Sequence, residues 1–436
     1  MKKIKNIITV LSIALVFSCS KDILDKEPQS GFSAQGFYKT SSDAQAGVYG
    51  IYDAVQSTFS LNFSFWGEGR ADAVNTNHSG DPLLLQQNTL NKTMNSARWN
   101  SLYETISRAN YAIKYVPEVF EEGNEFGLQL VGQARALRAL SYFYAVRIWG
   151  DVPLVLEPYE SIDQELFIGK TAKEEVLEQI VADLKFAAQN CRESFGGERD
   201  RLLITQGGAN GLLTQVYMWQ KNYEAAIASA QSVLGNSLYS LVSINDWSKI
   251  FTTGFSNESI FEIGYDDTQT NNLRILYAIG SDSHYFPSEG FRASFEEGDL
   301  RQELIYDVTE EEPRKIWKFF GQGFDDESAD PSSQNIVMLR LADIMLLKAE
   351  AHNKLGQTPQ ALDLLNTIRS RAGLVEIDEA EAISSYGDVE SAILHERSIE
   401  LSFEGHRWFD LVRTQKAIEV MGPINGLSDE ANLVWP

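Results

Sequence analysis

Apolar residues recur three and four positions apart through the first half of the chain, the spacing of a helix with one buried stripe. The pattern predicts helices at about 42–57, 96–116, 127–149, 171–191, 205–219 and 222–235. The clearest stop is Trp149-Gly150-Asp151-Val152-Pro153, where glycine can take positive φ after a helix and Pro153 prevents the helix from resuming.

Two helix pairs have the look of tetratricopeptide units, in which alanines near a tight turn let antiparallel helices approach closely. One runs from Leu212 to Leu234 and turns at Lys221-Asn222-Tyr223; the other runs from Leu339 to Ile368 and turns at Leu355 to Pro359. They are not tandem in sequence. Between them, residues 236–336 change character, with Ser, Asn, Gly and Asp turns around short β-prone runs such as Ser259 to Ile263. This reads as a loop-rich insertion, and insertions in repeat proteins gather on one face, often the binding face.

The N-terminus adds a compartment. Lys2, Lys3 and Lys5 precede an uncharged stretch of 11 residues, Ile7 to Phe17, which ends at Ser18-Cys19. A membrane-crossing helix needs about 20 apolar residues, so residues 1–18 read as a cleaved signal peptide. Cys19 reads as the lipidated first residue of the mature chain, and 19–40 as its tether. The alternative is ordinary cleavage beside an incidental cysteine. Cys191 is then left without an intrachain partner and fits a small buried apolar role. Cleavage removes three lysines and leaves 34 basic against 61 acidic residues in 418, a balance of −27. That excess disfavours nucleic acid and anionic lipid surfaces, both of which require basic patches.

Four blocks then resemble one family, the SusD/RagB-like glycan-binding lipoproteins of the Bacteroidetes outer membrane. They are Cys19 to Asp25 with Pro28; Ala136-Leu137-Arg138-Ala139 through Tyr142-Phe143 to Gly150-Asp151-Val152-Pro153-Leu154; Leu339 to Asp343 through Lys348 to Ala351 to Asn366 to Leu374; and Glu396-Arg397 to Glu400-Leu401 with Phe403 to Arg413. Their order along the chain is the family's. The family pattern continues beyond a segment like Leu433 to Pro436 into a proline-rich tail, which is not present in this sequence. The resemblance implies a mainly α fold, a tetratricopeptide-like helix-pair scaffold carrying a loop-rich insertion with short β-strands. It implies one SusD-like domain over 41–436, with helical repeats at 41–235 and 337–420 around the 236–336 insertion. It also implies a lipid anchor in the outer membrane, an outward-facing site for oligosaccharide and a SusC-like TonB-dependent transporter as partner. No enzyme activity, cofactor or metal is implied. A peptide- or protein-binding role in the same uptake system and a glycoside hydrolase are the alternatives.

The closing block is rich in charge. On a helix Glu396 and Glu400 are four apart, Arg397 and Glu400 three, and Glu404 and Arg407 three, the spacing at which charges lace adjacent turns. With Asp410 and Arg413 they read as a structural signature pairing carboxylates with arginines where the last helices meet the scaffold. His395-Glu396-Arg397-Ser398-Ile399 lacks the second histidine of a zinc motif, and no nucleophile elbow or phosphate loop occurs. Glycoside hydrolysis needs only two carboxylates, for which Glu296-Glu297, Glu310 to Glu312 and Asp325-Asp326 are candidates among 61 acids. A sugar binder needs aromatic faces flanked by amides and carboxylates. Two loops supply them: Phe65-Trp66 onward, with Asp72, Asn75, His78 and Asp81, and the insertion, with Tyr265, Tyr285 and Trp317. Trp99, Trp149, Trp219 and Trp408 lie in helical or signature segments and are assigned to packing.

Overall fold

A computed structural model describes residues 34–161, 163–328 and 330–435. The expected signal peptide, Cys19 and most of the 19–40 tether lie outside the described residues. Helix α1 (Ser41–Gly67) starts at a capping box, in which Thr40 Oγ1 accepts from the Asp43 N–H and the Asp43 carboxylate accepts from the Thr40 N–H. It runs well past the expected end at 57, because the apolar series continues through Phe59, Phe63, Phe65 and Trp66, all buried.

The helices follow as α2 (Asn100–Val119), α3 (Glu125–Trp149), α4 (Lys173–Asn190), α5 (Gln206–Trp219) and α6 (Tyr223–Leu234). Later come α7 (Leu341–Lys354), α8 (Thr358–Arg371), α9 (Glu379–Tyr386), α10 (Val389–Glu400), α11 (Arg407–Arg413) and α12 (Ala417–Asn425). From α1 to α8 each helix packs on the next. That series includes α6 on α7, although about a hundred residues separate them in sequence. The two tetratricopeptide-like pairs are therefore neighbours in space, and the insertion loops out between them. Fully buried Ala226 and Ala230 on α6 and Ala349 and Ala351 on α7 present little bulk where helices approach. Helix α3 stops as expected at Gly150, whose φ of 72° lets its N–H close on the Val146 carbonyl at 2.9 Å.

The insertion is pinned where it leaves and returns. Strand β2 (Ser259–Ile263) pairs antiparallel with β4 (Ile336–Arg340), and every residue of both is buried. A second, two-residue ribbon joins β1 (Val74–Asn75) to β3 (Phe286–Pro287). No helix among the described residues is long and apolar enough to cross a membrane. Cys191 is 2% exposed with its Sγ against Gly132, and burial pushes its thiol pKa up to about 12.

Candidate functional site

The closing signature does not lace itself as its spacing suggests. Its charges point into the core and, apart from Asp410 with Arg397 and Arg413, find partners far away in sequence. Arg397 pairs with Asp410 and Asp343 at 2.8 Å each, not with Glu400. Arg407 forms a bidentate pair with Asp72, 2.7 Å on both arms, not with Glu404. Arg413 bonds Asp410 and Glu350. Glu400, fully buried, receives Arg340 and Arg371 at 2.5 Å, Arg301 at 2.9 Å and the Trp247 indole N–H at 3.1 Å. Arg340 also reaches Glu258 at 2.8 Å and Glu404 at 2.7 Å, and Arg301 reaches Glu396 at 2.6 Å. Burial alone would favour the neutral acid, but Arg371, Arg340 and Arg301 outweigh it and hold Glu400 well below the carboxylate range. Spacing fails here because a helical neighbour competes with core partners, and buried charges take whichever partners desolvation leaves them.

This cluster is tied to both candidate loops. Glu68, just past α1, is buried, and its Oε1 accepts from the N–H groups of Gly405 and His406 at 2.8 and 3.1 Å. The backbones cross closely enough that a Cβ on Gly67 would sit 2.0 Å from the Gly405 carbonyl oxygen, so only glycine fits at 67. Burial pushes Glu68 up to about 8, against the pull of the backbone donors.

The structure separates the eight expected ligand residues. Trp66 is a correction: it is 1% exposed at the end of α1, packs edge-on to Phe59 and Trp149, and donates its indole N–H to the Ser96 carbonyl at 2.9 Å. Tyr285 is another, fully buried with its hydroxyl against Gly69. Trp66 continues the core stripe of α1, and Tyr285 turns inward from an irregular segment, neither of which a loop reading anticipates. Asp72 is committed to Arg407, and Asp81 accepts from the Ser96 N–H and hydroxyl at 2.8 and 2.7 Å. Asn75 bonds Gln86, and Tyr265 donates to the Gln56 carbonyl at 2.7 Å. His78 donates from Nε2 to the Asp282 carbonyl at 2.7 Å and meets His284 edge-on at 4.7 Å, joining the first loop to the insertion alongside the β1–β3 ribbon. Burial and His78 together push His284 down to about 4.

Trp317 alone of the eight is a half-buried aromatic on an open cavity. That cavity has a volume of about 580 Å³ and is lined by Trp317, Phe324, Arg314, Lys315, Asp307, Glu310, Asp325, Glu327 and the turn at Gly280-Ser281, beside the His78 contact. The Trp317 indole N–H donates to the Phe324 carbonyl at 3.2 Å, which fixes the ring. The next residue anchors the platform: Lys318 Nζ is fully buried and donates to the carbonyls of Glu400 and Ser402 at 3.0 and 2.8 Å and to Glu404 at 2.6 Å. Burial brings the Lys318 pKa down to about 8, with Glu404 opposing. Of the acids considered for hydrolysis, Glu296 is held by Arg369 and Tyr386 at 2.6 Å each. Asp325 is 97% exposed and paired with Lys315, unlike the sheltered carboxyl of a general acid. The cavity's other members, Arg314, Lys315, Phe324 and Glu327, carry no spacing signal, because they meet only through the turn geometry of the insertion. Among the described residues no group of three or more His, Cys, Asp or Glu side chains is arranged to hold a metal ion.

This architecture matches known proteins along its whole length. The SusD family model matches residues 308–432, and a SusD-like model described as starch-binding associating with outer membrane matches residues 24–218. SusD-like protein P38 of Formosa agariphila is 31% identical over 501 residues, covering 100% of this chain and 96% of the relative. The chain belongs to the SusD family. SusD-like protein P2 of the same organism is 27% identical, covering 99% of this chain and 94% of its own. Among solved structures, a SusD superfamily protein of Bacteroides thetaiotaomicron is 26% identical, with a TM-score of 0.78 over 92% of this chain and 95% of that one. A laminarin-binding SusD-like protein shares the fold at 24% identity, with a TM-score of 0.78 over 92% and 96% of the two chains. The mainly helical fold is thus that of SusD superfamily structures, and the SusD-like family is a carbohydrate-binding one.

Proposed function

We propose that this SusD-family chain is a lipid-anchored receptor on the outer face of the outer membrane that captures an oligosaccharide at the Trp317 cavity. It then delivers the glycan to a SusC-like TonB-dependent transporter without cutting it. The observation that carries the site is Trp317 itself, an indole immobilised at its polar edge by Phe324 and at its backbone by Lys318, on the wall of a cavity large enough for a short saccharide. A sugar's C–H face packs on such a ring while carboxylates and Arg314 meet its hydroxyls. The laminarin-binding relative of the same fold supports a glycan over a peptide. A scaffold of stiff helix pairs suits a lid over a transporter, since closure requires only that ligand favour the closed arrangement.

Trp317→Ala should lower affinity for whichever glycan the wild type binds by about 10-fold or more, measured by calorimetry against a panel of glycans and peptides. Unchanged affinity, or binding of peptides alone, contradicts the site; steady release of reducing ends contradicts the non-catalytic role. Cys19→Ala should release the protein from membranes in a fractionation, and its retention there contradicts the anchor.

A further inference from the structure

We infer that the Trp317 cavity selects uncharged glycans and rejects those carrying carboxylate or sulfate groups, an inference that rests on reading this cavity as the glycan site. Two cations, Arg314 and Lys315, face four carboxylates, Asp307, Glu310, Asp325 and Glu327, across its wall. Both cations are already matched. Lys315 Nζ lies 3.0 Å from Asp325 Oδ1 and 3.2 Å from Glu327 Oε1. Arg314 Nη2 lies 2.6 Å from Glu312, and its guanidinium stacks 3.9 Å from the centroid of the Phe286 ring.

An incoming anion therefore meets cations that already have carboxylate partners and must approach Asp307 and Glu310, neither of which has a cationic partner among the described residues. Asp307 accepts from the N–H and hydroxyl of Thr309 at 2.9 and 2.7 Å, bonds that keep its charge at the wall. A cleft with an excess of one sign focuses its field between low-dielectric walls, and the chain's overall charge of −24 adds to it. Selectivity then comes from repelling the wrong ligand as much as from holding the right one.

An uncharged sugar meets the opposite situation. Its hydroxyls can donate to the carboxylates, and its C–H face can lie on Trp317. The other large cavities do not combine excess carboxylates with an aromatic face: the one beside α8 and α9, about 440 Å³, is acidic through Asp363, Glu376, Asp378, Glu379 and Glu381 but has no aromatic lining. The one between β1 and α12, about 540 Å³, holds the balanced pairs Asp72 with Arg407 and Glu419 with Lys416. The one beside Tyr49 and Phe261, about 450 Å³, has mostly apolar walls.

The test uses neutral polysaccharides, each beside its own C6-carboxylated form, together with carrageenan as a sulfated probe, on the full mature protein. The neutral form should bind with an affinity that changes less than about twofold between about 0.02 and 0.3 M salt, and the carboxylated form at least about 10-fold more weakly at low salt. That gap should narrow at high salt and in the double variant Asp307→Asn, Glu310→Gln, which keeps the Thr309 turn bonds. Equal or tighter binding of a carboxylated or sulfated polysaccharide overturns the inference, as does an undiminished gap in the double variant. If no polysaccharide binds in any form, the glycan reading of the cavity falls, and the charge inference with it; a bound anion refutes the charge inference alone.

Discussion

Trp317 and Lys318 are adjacent residues in two different environments. Lys318 is fully buried among Glu400, Ser402 and Glu404, where every charge has a named partner and distances cluster between 2.5 and 3.1 Å. Trp317 faces a cavity whose charged rim is largely open to water, with Asp325 97% and Glu327 64% exposed. In the first region one lost side chain leaves others unpaired in a medium that cannot screen them. In the second, exchanging a side chain should alter the proposed binding and little else. The closing block, dense in ionisable groups, holds the structure, while the sparse-looking insertion is the region proposed for recognition.

The largest expected effect lies in the cluster. Arg340→Ala removes the cation shared by Glu258, Glu400 and Glu404, leaving three buried carboxylates to Arg371, Arg301 and Lys318, and the loss of stability should be about 3–5 kcal/mol, read as a lower denaturant midpoint. A loss under about 1 kcal/mol would break the contrast. Trp317→Ala should invert the profile, with a large change in glycan affinity and a much smaller one in stability.

A subtler effect concerns Glu68, which ties α1 to the signature turn. Its folded pKa of about 8 lies above the ordinary carboxylate value, so the folded state holds the proton more tightly than the unfolded chain. That contribution is complete below about pH 4.5 and is lost as pH rises through about 8. Relative to Glu68→Gln, the wild type should lose about 1–3 kcal/mol of stability between about pH 5 and 8.5, by chemical denaturation at each pH. Parallel curves for the two proteins would show that Glu68 is already ionised when buried.

Helices α2 to α6 were legible to within a few residues, because a buried stripe repeats at helical spacing and Gly150 and Pro153 mark the stop at α3. The end of α1 was not: Phe65 and Trp66 precede a glycine and were read as a loop, although their burial extends the same stripe. The signature's charge was visible, but its partners were not, since Arg301, Lys318 and Arg340 reach Glu396, Glu400 and Glu404 from 60 to 99 positions away. Trp317 was legible as a residue type in a loop. Its cavity was not, because Arg314, Glu327 and the Gly280 turn are brought together across the mostly irregular chain from 280 to 327, and the neighbouring β1–β3 ribbon, two residues per strand, leaves no alternating pattern to read.

The most direct measurement is a crystal structure of the protein with the glycan it binds best. The account predicts a sugar ring packed within about 4 Å of the Trp317 indole, with hydroxyls reaching Arg314 and the rim carboxylates. A glycan seated instead beside Tyr49 or between β1 and α12, with Trp317 untouched, would contradict it.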